Sequence, residues 1–196
     1  MIMESKAVNP LLLSIPEQFE TERLVIRAPQ WEDGELVNAA IRESVDELRP
    51  WMPWVQQVPT IEESMISSRQ GRIHFLERSD LRLYLFHKTT GQFVGGSGLH
   101  RIDWEARKFE IGYWIRTSLN GQGYITEAVA GITEFAIQTL QANRIEIRCD
   151  ARNGPSARVA ERLGFTKEAV LRREKCDVNG ELSDTFVFAK VRGTEY

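Results

Sequence analysis

The stretch SLNGQGYITEA, Ser118–Ala128, sets two glycines, Gly121 and Gly123, directly ahead of a run with helical character. A helix N-terminus presents unpaired N–H groups and the positive end of a dipole, so it attracts phosphate. Glycine lets the main chain approach an anion with no Cβ in the way. The local chemistry is therefore diphosphate binding, or a tight strand-to-helix turn with no ligand. Two nucleotide motifs do not match. No Lys-Ser/Thr pair closes the turn as in a P-loop, and Thr126 stands where G-x-G-x-x-G needs its third glycine. Downstream, RNGPS, Arg152–Ser156, is good turn chemistry, with Asn153 or Ser156 suited to cap the helix ARVAERL.

The elements that must position these residues follow from periodicity. RLVIRAP alternates as a strand, and WEDGELVNAAIRESVDEL carries apolar residues at helical spacing. RPWMPWVQQVP, rich in proline and tryptophan, reads as a loop, and IEESMISSRQGRIHFLERS returns to a helix. LRLYLFHK, QFVGGSGLHRI and KFEIGYWIR form three strands of an antiparallel meander. YITEAVAGITEFAIQTL is an amphipathic helix, RIEIRCD a strand, and SARVAERLGF a short helix with Gly164 at its C-cap. EAVLRR and LSDTFVFAKV are the last two strands, around the turn Asn179–Gly180. The result is an α+β (mixed α/β) single domain, residues 19–192, behind a loose tail, residues 1–18.

Composition narrows the class. The chain has 196 residues, 42% hydrophobic and 27% charged, with a net charge of -3. Such a balance exerts no general pull toward nucleic acid or an anionic membrane. No stretch approaches the ~18 apolar residues of a membrane span, and the expected location is the cytoplasm. Two cysteines and three scattered histidines leave no metal-ligand spacing.

Taken together, KFEIGYWIR, NGQGYITEA, RIEIRCDARN and NGPSARVAERLGF resemble the GNAT acetyltransferase superfamily. More closely they resemble the RimJ/RimL-type N-acetyltransferases. ETERLVIRA, LRPWMPW and NGELSDTFVFA extend the resemblance from about Phe19 to Lys190. It implies a GNAT fold: a mostly antiparallel central sheet of about seven strands, about four helices and a splayed cofactor cleft. It also implies acetyl-CoA as co-substrate, no metal, and transfer of acetyl to an amine. The acceptor expected is the α-amino group of a protein, such as a ribosomal protein; a small-molecule amine and a catalytically silent acyl-CoA-binding module are the alternatives. Relatives are often homodimers, which leaves room for a homodimer here.

The resemblance also assigns residues. The diphosphate falls to the turn Asn120–Gly121 and to the N–H groups of Gln122, Gly123, Tyr124, Ile125, Thr126 and Glu127, with a hydroxyl from Thr126. The superfamily turn reads Q/R-x-x-G-x-G/A; Asn120 and Ile125 depart from it, and Asn120 removes an arginine-like phosphate contact. Backbone of Trp114 and Ile115, on a strand splayed from Ile147–Asp150, pairs with pantetheine amides as a cofactor strand would. Asn153 contacts the pantetheine arm, and Ser156 donates to the departing thiolate. Some relatives place a tyrosine four residues beyond Ser156 for that task; this chain has Ala160. Glu110 is the expected general base, with Glu174 as runner-up. Arg49, Trp51 and Trp54 border the acceptor site.

Overall fold

The computed structural model describes residues 9–196; residues 1–8 of the expected tail lie outside them. In chain order the elements are β1 (Gln18–Glu20), β2 (Leu24–Arg27), α1 (Gly34–Leu48), α2 (Ile61–Glu77), β3 (Leu81–His87), β4 (Phe93–Asp103) and β5 (Lys108–Ile115). There follow α3 (Tyr124–Gln138), β6 (Arg144–Asp150), α4 (Gly154–Arg162), β7 (Thr166–Cys176) and β8 (Leu182–Val191). The strands make one sheet in the order β1-β2-β3-β4-β5-β6-β8-β7. Every pairing is antiparallel except β5 with β6, which α3 joins as a crossover.

The eighth strand is the one that periodicity does not reveal. β1 has three residues, too short for an alternating pattern, and its register with β2 (Phe19 opposite Ile26) exists only in the sheet. It begins one residue ahead of the boundary expected at Phe19. Upstream, Pro10–Leu12 form one 3-10 turn and Ile15 is buried in the core. The proline-tryptophan loop likewise holds a single 3-10 turn, Pro53–Val55.

Alternation along β3 shows how the layers form. Leu81, Leu83 and Leu85 point to one face, where Ala128, Ile132 and Ala136 of α3 meet them. Tyr84 and Phe86 point to the other, against Val37, Ala40 and Ile41 of α1. Full burial of each such aliphatic or aromatic side chain contributes about 1.5–3 kcal/mol. The middle of the sheet is thus covered on both sides, while β7, at the edge, is mostly exposed.

Candidate active site

β5 and β6 pair only from Lys108–Glu110 to Arg144–Glu146. Beyond that point each strand stays with its outer neighbour: β5 with β4 as far as Ile115, β6 with β8 as far as Asp150. The two therefore part, and their facing backbone edges line a cleft of about 810 Å³. Its lining includes Tyr113, Trp114 and Ile115 of β5, the first turn of α3, and Asn153, Ser156, Arg158 and Arg162 at α4. The Trp114 side chain turns toward Phe93 and Trp54. Its backbone does not serve the cleft as expected: Arg116 N donates to Val94 O, so Trp114, two residues back in the same ladder, directs its N–H and C=O at β4, and the backbone groups of β5 that face the split are those of Tyr113 and Ile115.

At one end of the cleft stands the N-terminus of α3. Gly123 has φ 82°, a left-handed conformation that favours glycine, and the helix has no side-chain cap. The first intrahelical bond runs from Glu127 N to Gly123 O, 3.0 Å. The N–H groups of Tyr124, Ile125 and Thr126 precede it and have no carbonyl partner among the described residues. Asn120 accepts from Gly121 N at 2.8 Å and so organises its own turn, and the Gln122 side chain reaches back to Ser118 O at 3.3 Å. Glu127 differs from expectation. Its amide is taken by Gly123 O, and its carboxylate is bonded to Thr21 and Arg23, outside the cleft lining.

At α4 the expected cap is present: Asn153 Oδ1 accepts from Ser156 N at 3.1 Å. The Ser156 hydroxyl donates to Tyr113 Oη at 3.0 Å, and that phenol donates to Ser156 O at 3.0 Å. Tyr113 was missed in the sequence; its signal was its place on β5, on the same face as Phe109 and Ile111. Burial pushes its phenol up to about 12, so it stays a neutral donor across the physiological range. Burial also raises the Cys149 thiol, on the β6 wall of the cleft.

Glu110 sits where the strands begin to part, paired in register with Glu146. It lies at the foot of the cleft rather than among its lining residues. Burial raises its carboxyl, against the pull of Arg101 at 3.5 Å and of Arg148. Glu174 goes the other way. Burial alone would raise it, but hydrogen bonding and its ion pair with Arg148 leave it below the usual range. Arg148, which lines the cleft, thus stands between two carboxyls whose proton affinities are driven apart, the pattern that separates a base from a bystander.

Of the loop residues, Trp51 lines the cleft. Trp54 is 52% exposed and lies edge-on to Trp114, with ring centroids 6.0 Å apart. Arg49 closes α1, 3.8 Å from Asp46, and is not among the lining residues. Among the described residues no cluster of His, Cys, Asp or Glu is placed to hold a metal ion, and no helix is long and apolar enough to cross a membrane.

A split parallel pair beside an uncapped helix N-terminus offers an open backbone edge next to an anion site. The acetyltransferase (GNAT) domain family matches residues 23–166, and the chain belongs to that family. The uncharacterized N-acetyltransferase p20 of Bacillus licheniformis is 29% identical, covering 90% of this chain and 97% of that protein. The ribosomal-protein-serine acetyltransferase of Escherichia coli is 28% identical, covering 74% and 79%. Among solved structures, the microcin self-immunity acetyltransferase MccE, in complex with acetyl-CoA and AMP, superposes with TM-score 0.80 at 26% identity, covering 87% and 93%. RimL in complex with coenzyme A shares the fold at TM-score 0.81 and 21% identity, covering 90% and 97%. The protein is an acetyl-CoA-dependent N-acetyltransferase.

Proposed function

We propose that the chain acetylates the α-amino group of a protein, with a ribosomal protein as the class of acceptor. The single observation that carries acyl transfer is the split between β5 and β6, whose cleft is lined by the open first turn of α3 and by Trp51. The E. coli relative named for a ribosomal-protein serine supports the acceptor class. A small-molecule acceptor is the second reading, favoured by the likeness to MccE, whose structure holds AMP beside acetyl-CoA.

Acetyl-CoA supplies an activated acyl group. The chain's own residues bind and orient it and move protons around it. N–H groups of Tyr124, Ile125 and Thr126 would take the diphosphate, and the open edge at Tyr113 and Ile115 would pair with pantetheine. Asn153 meets the same arm. A backbone N–H of the β5 edge faces the oxygen on which negative charge develops. The Ser156 hydroxyl, by rotating from Tyr113 Oη toward the sulfur, would donate to the departing thiolate, while the Tyr113 phenol keeps its bond to Ser156 O. The acceptor amine must be neutral to attack, so its proton goes to Glu110, directly or through water. A carboxyl raised by burial is the better proton acceptor of the two near Arg148, which favours Glu110 over Glu174.

The test is release of free thiol from acetyl-CoA against N-terminal peptides and a panel of small amines. Preference for peptides is expected; turnover with small amines alone would overturn the acceptor class. Glu110→Gln is expected to lower kcat/KM at least about a hundredfold. Stability should move the opposite way. A carboxyl raised by folding is penalised when ionised, so the wild type carries that penalty at neutral pH and loses it below its unfolded value of about 4.3. Glu110→Gln is therefore expected to raise Tm at pH 8, with the two proteins converging near pH 4.

A further inference from the structure

The segment ETERLVIRA belongs to no step of the chemistry above, yet it touches the diphosphate turn at several points. Glu127 Oε1 accepts from Thr21 Oγ1 at 2.6 Å and from Arg23 N at 2.7 Å, and Oε2 accepts from Arg23 Nε at 2.6 Å. Arg23 Nη1 donates to Gln122 O at 3.0 Å. The same guanidinium lies 4.4 Å over the Tyr124 ring. One arginine, about a hundred positions away in the chain, thus grips the residue before Gly123, the residue after it, and the acid one helical turn on.

That acid presents a physical problem. A carboxylate in the first turn suits the helix dipole, but a diphosphate bound by the same N–H groups would be repelled by it. The Glu127 side chain is only 16% exposed, so water shields it poorly. Hydrogen bonds from Thr21 and Arg23, outweighing burial, hold its carboxyl below the usual range, so it is charged at neutral pH. Arg23 supplies the compensating charge. Asn120 brings no charge to the turn, and the cation beside it is Arg23, bonded to Gln122 O and lying over Tyr124.

We propose that Arg23 is a positioning residue of the diphosphate site, which fastens the Gly121–Gly123 turn and cancels the Glu127 charge that would otherwise oppose the anion. The proposal rests on the reading that this turn takes the diphosphate of acetyl-CoA. It is distinct from a merely structural ion pair, because it predicts that removing Glu127 repairs the loss of Arg23. An unpaired charge one helical pitch from a dianion is expected to change affinity about tenfold at a protein surface, and salt screens it.

Calorimetry with coenzyme A, at 50 and 500 mM NaCl, tests it on the wild type, Arg23→Gln, Arg23→Lys, Glu127→Gln, the double variant Arg23→Gln/Glu127→Gln, and Gly121→Leu. Arg23→Gln is expected to weaken binding about tenfold at low salt and less at high salt. The double variant should regain most of that loss, and Arg23→Lys, which keeps the charge, should lose no more than about threefold. A double variant no better than Arg23→Gln, or a loss independent of salt, overturns the proposal. Should Arg23→Gln not fold, Arg23→Lys binding as poorly as a charge-free site predicts overturns it as well. Gly121→Leu disrupts the turn itself: nothing lies within 4 Å of a built Cβ, but the φ of 76° strains a leucine. If it weakens binding and Arg23→Gln does not, only the role of Arg23 falls. If neither changes binding, the diphosphate lies elsewhere and the underlying reading falls with it.

Discussion

Two helices aim their N-termini at the same cleft, and they end in opposite ways. α4 is closed. Asn153 bonds Ser156 N, Pro155 has no N–H to satisfy, and Asp150 accepts from Arg152 N at 2.9 Å to hold the turn that leads in. α3 is open: its N-cap is a left-handed glycine, no side chain caps it, and the acid of its first turn is bonded to Thr21 and Arg23. A capped N-terminus has little left to offer an anion, whereas an open one keeps both its N–H groups and its dipole end. The difference supports the proposal that α3 takes the charged end of acetyl-CoA and that α4 serves the uncharged pantetheine and the sulfur.

The contrast can be broken most directly by closing α3. Gly123→Asp places a permanent negative charge among the free N–H groups, and aspartate tolerates the left-handed conformation better than most residues. Coenzyme A affinity, read by calorimetry, is expected to fall about a hundredfold, which is about 2.7 kcal/mol. Unchanged affinity would show that the open N-terminus is not where the anion sits. Opening α4 should do something different in kind. Asn153→Ala removes a cap worth about 1 kcal/mol, so Tm should fall about 2–4 °C in thermal unfolding, with a smaller loss of coenzyme A binding than at Gly123.

The last effect concerns the turn before α4 and is read as a pH dependence. Hydrogen bonds from Arg152, outweighing burial, bring the Asp150 carboxyl down to about 2. A carboxyl lowered by folding contributes stability above its unfolded value of about 3.9 and loses it as pH falls through the folded one. Acid unfolding of Asp150→Asn should therefore show a flatter decline between pH 4 and 2 than the wild type, while the α3 turn, which has no such lead-in acid, should respond equally in both proteins.

Much of this was legible from local pattern. The antiparallel meander, the Gly-rich turn, the cap at Asn153 and the turn at Asn179–Gly180 depend on residues within a few positions of one another, and the structure has each of them. β1 escaped because three residues carry no periodicity. Glu127 leaves the set of anion-binding amides for a local reason, since the first helical bond takes its N–H, whereas the Thr21 and Arg23 that hold its carboxylate are distant in sequence. Tyr113 escaped for the same reason: it is an ordinary strand residue until α4 brings Ser156 beside it.

By itself the amino-acid sequence determined the class of the fold and the glycine turn ahead of α3, because periodicity, glycine placement and capping act over one or two turns of chain; its motifs carried the resemblance to the family. Only the tertiary structure decided what surrounds that turn. Arg23 with Glu127, Tyr113 with Ser156, and Glu110 with Arg148 and Glu174 are joined across strands or helices remote in sequence. Charge pairing and hydrogen bonding act over a few ångströms in space, and which residues come that close is set by the order of strands in the sheet.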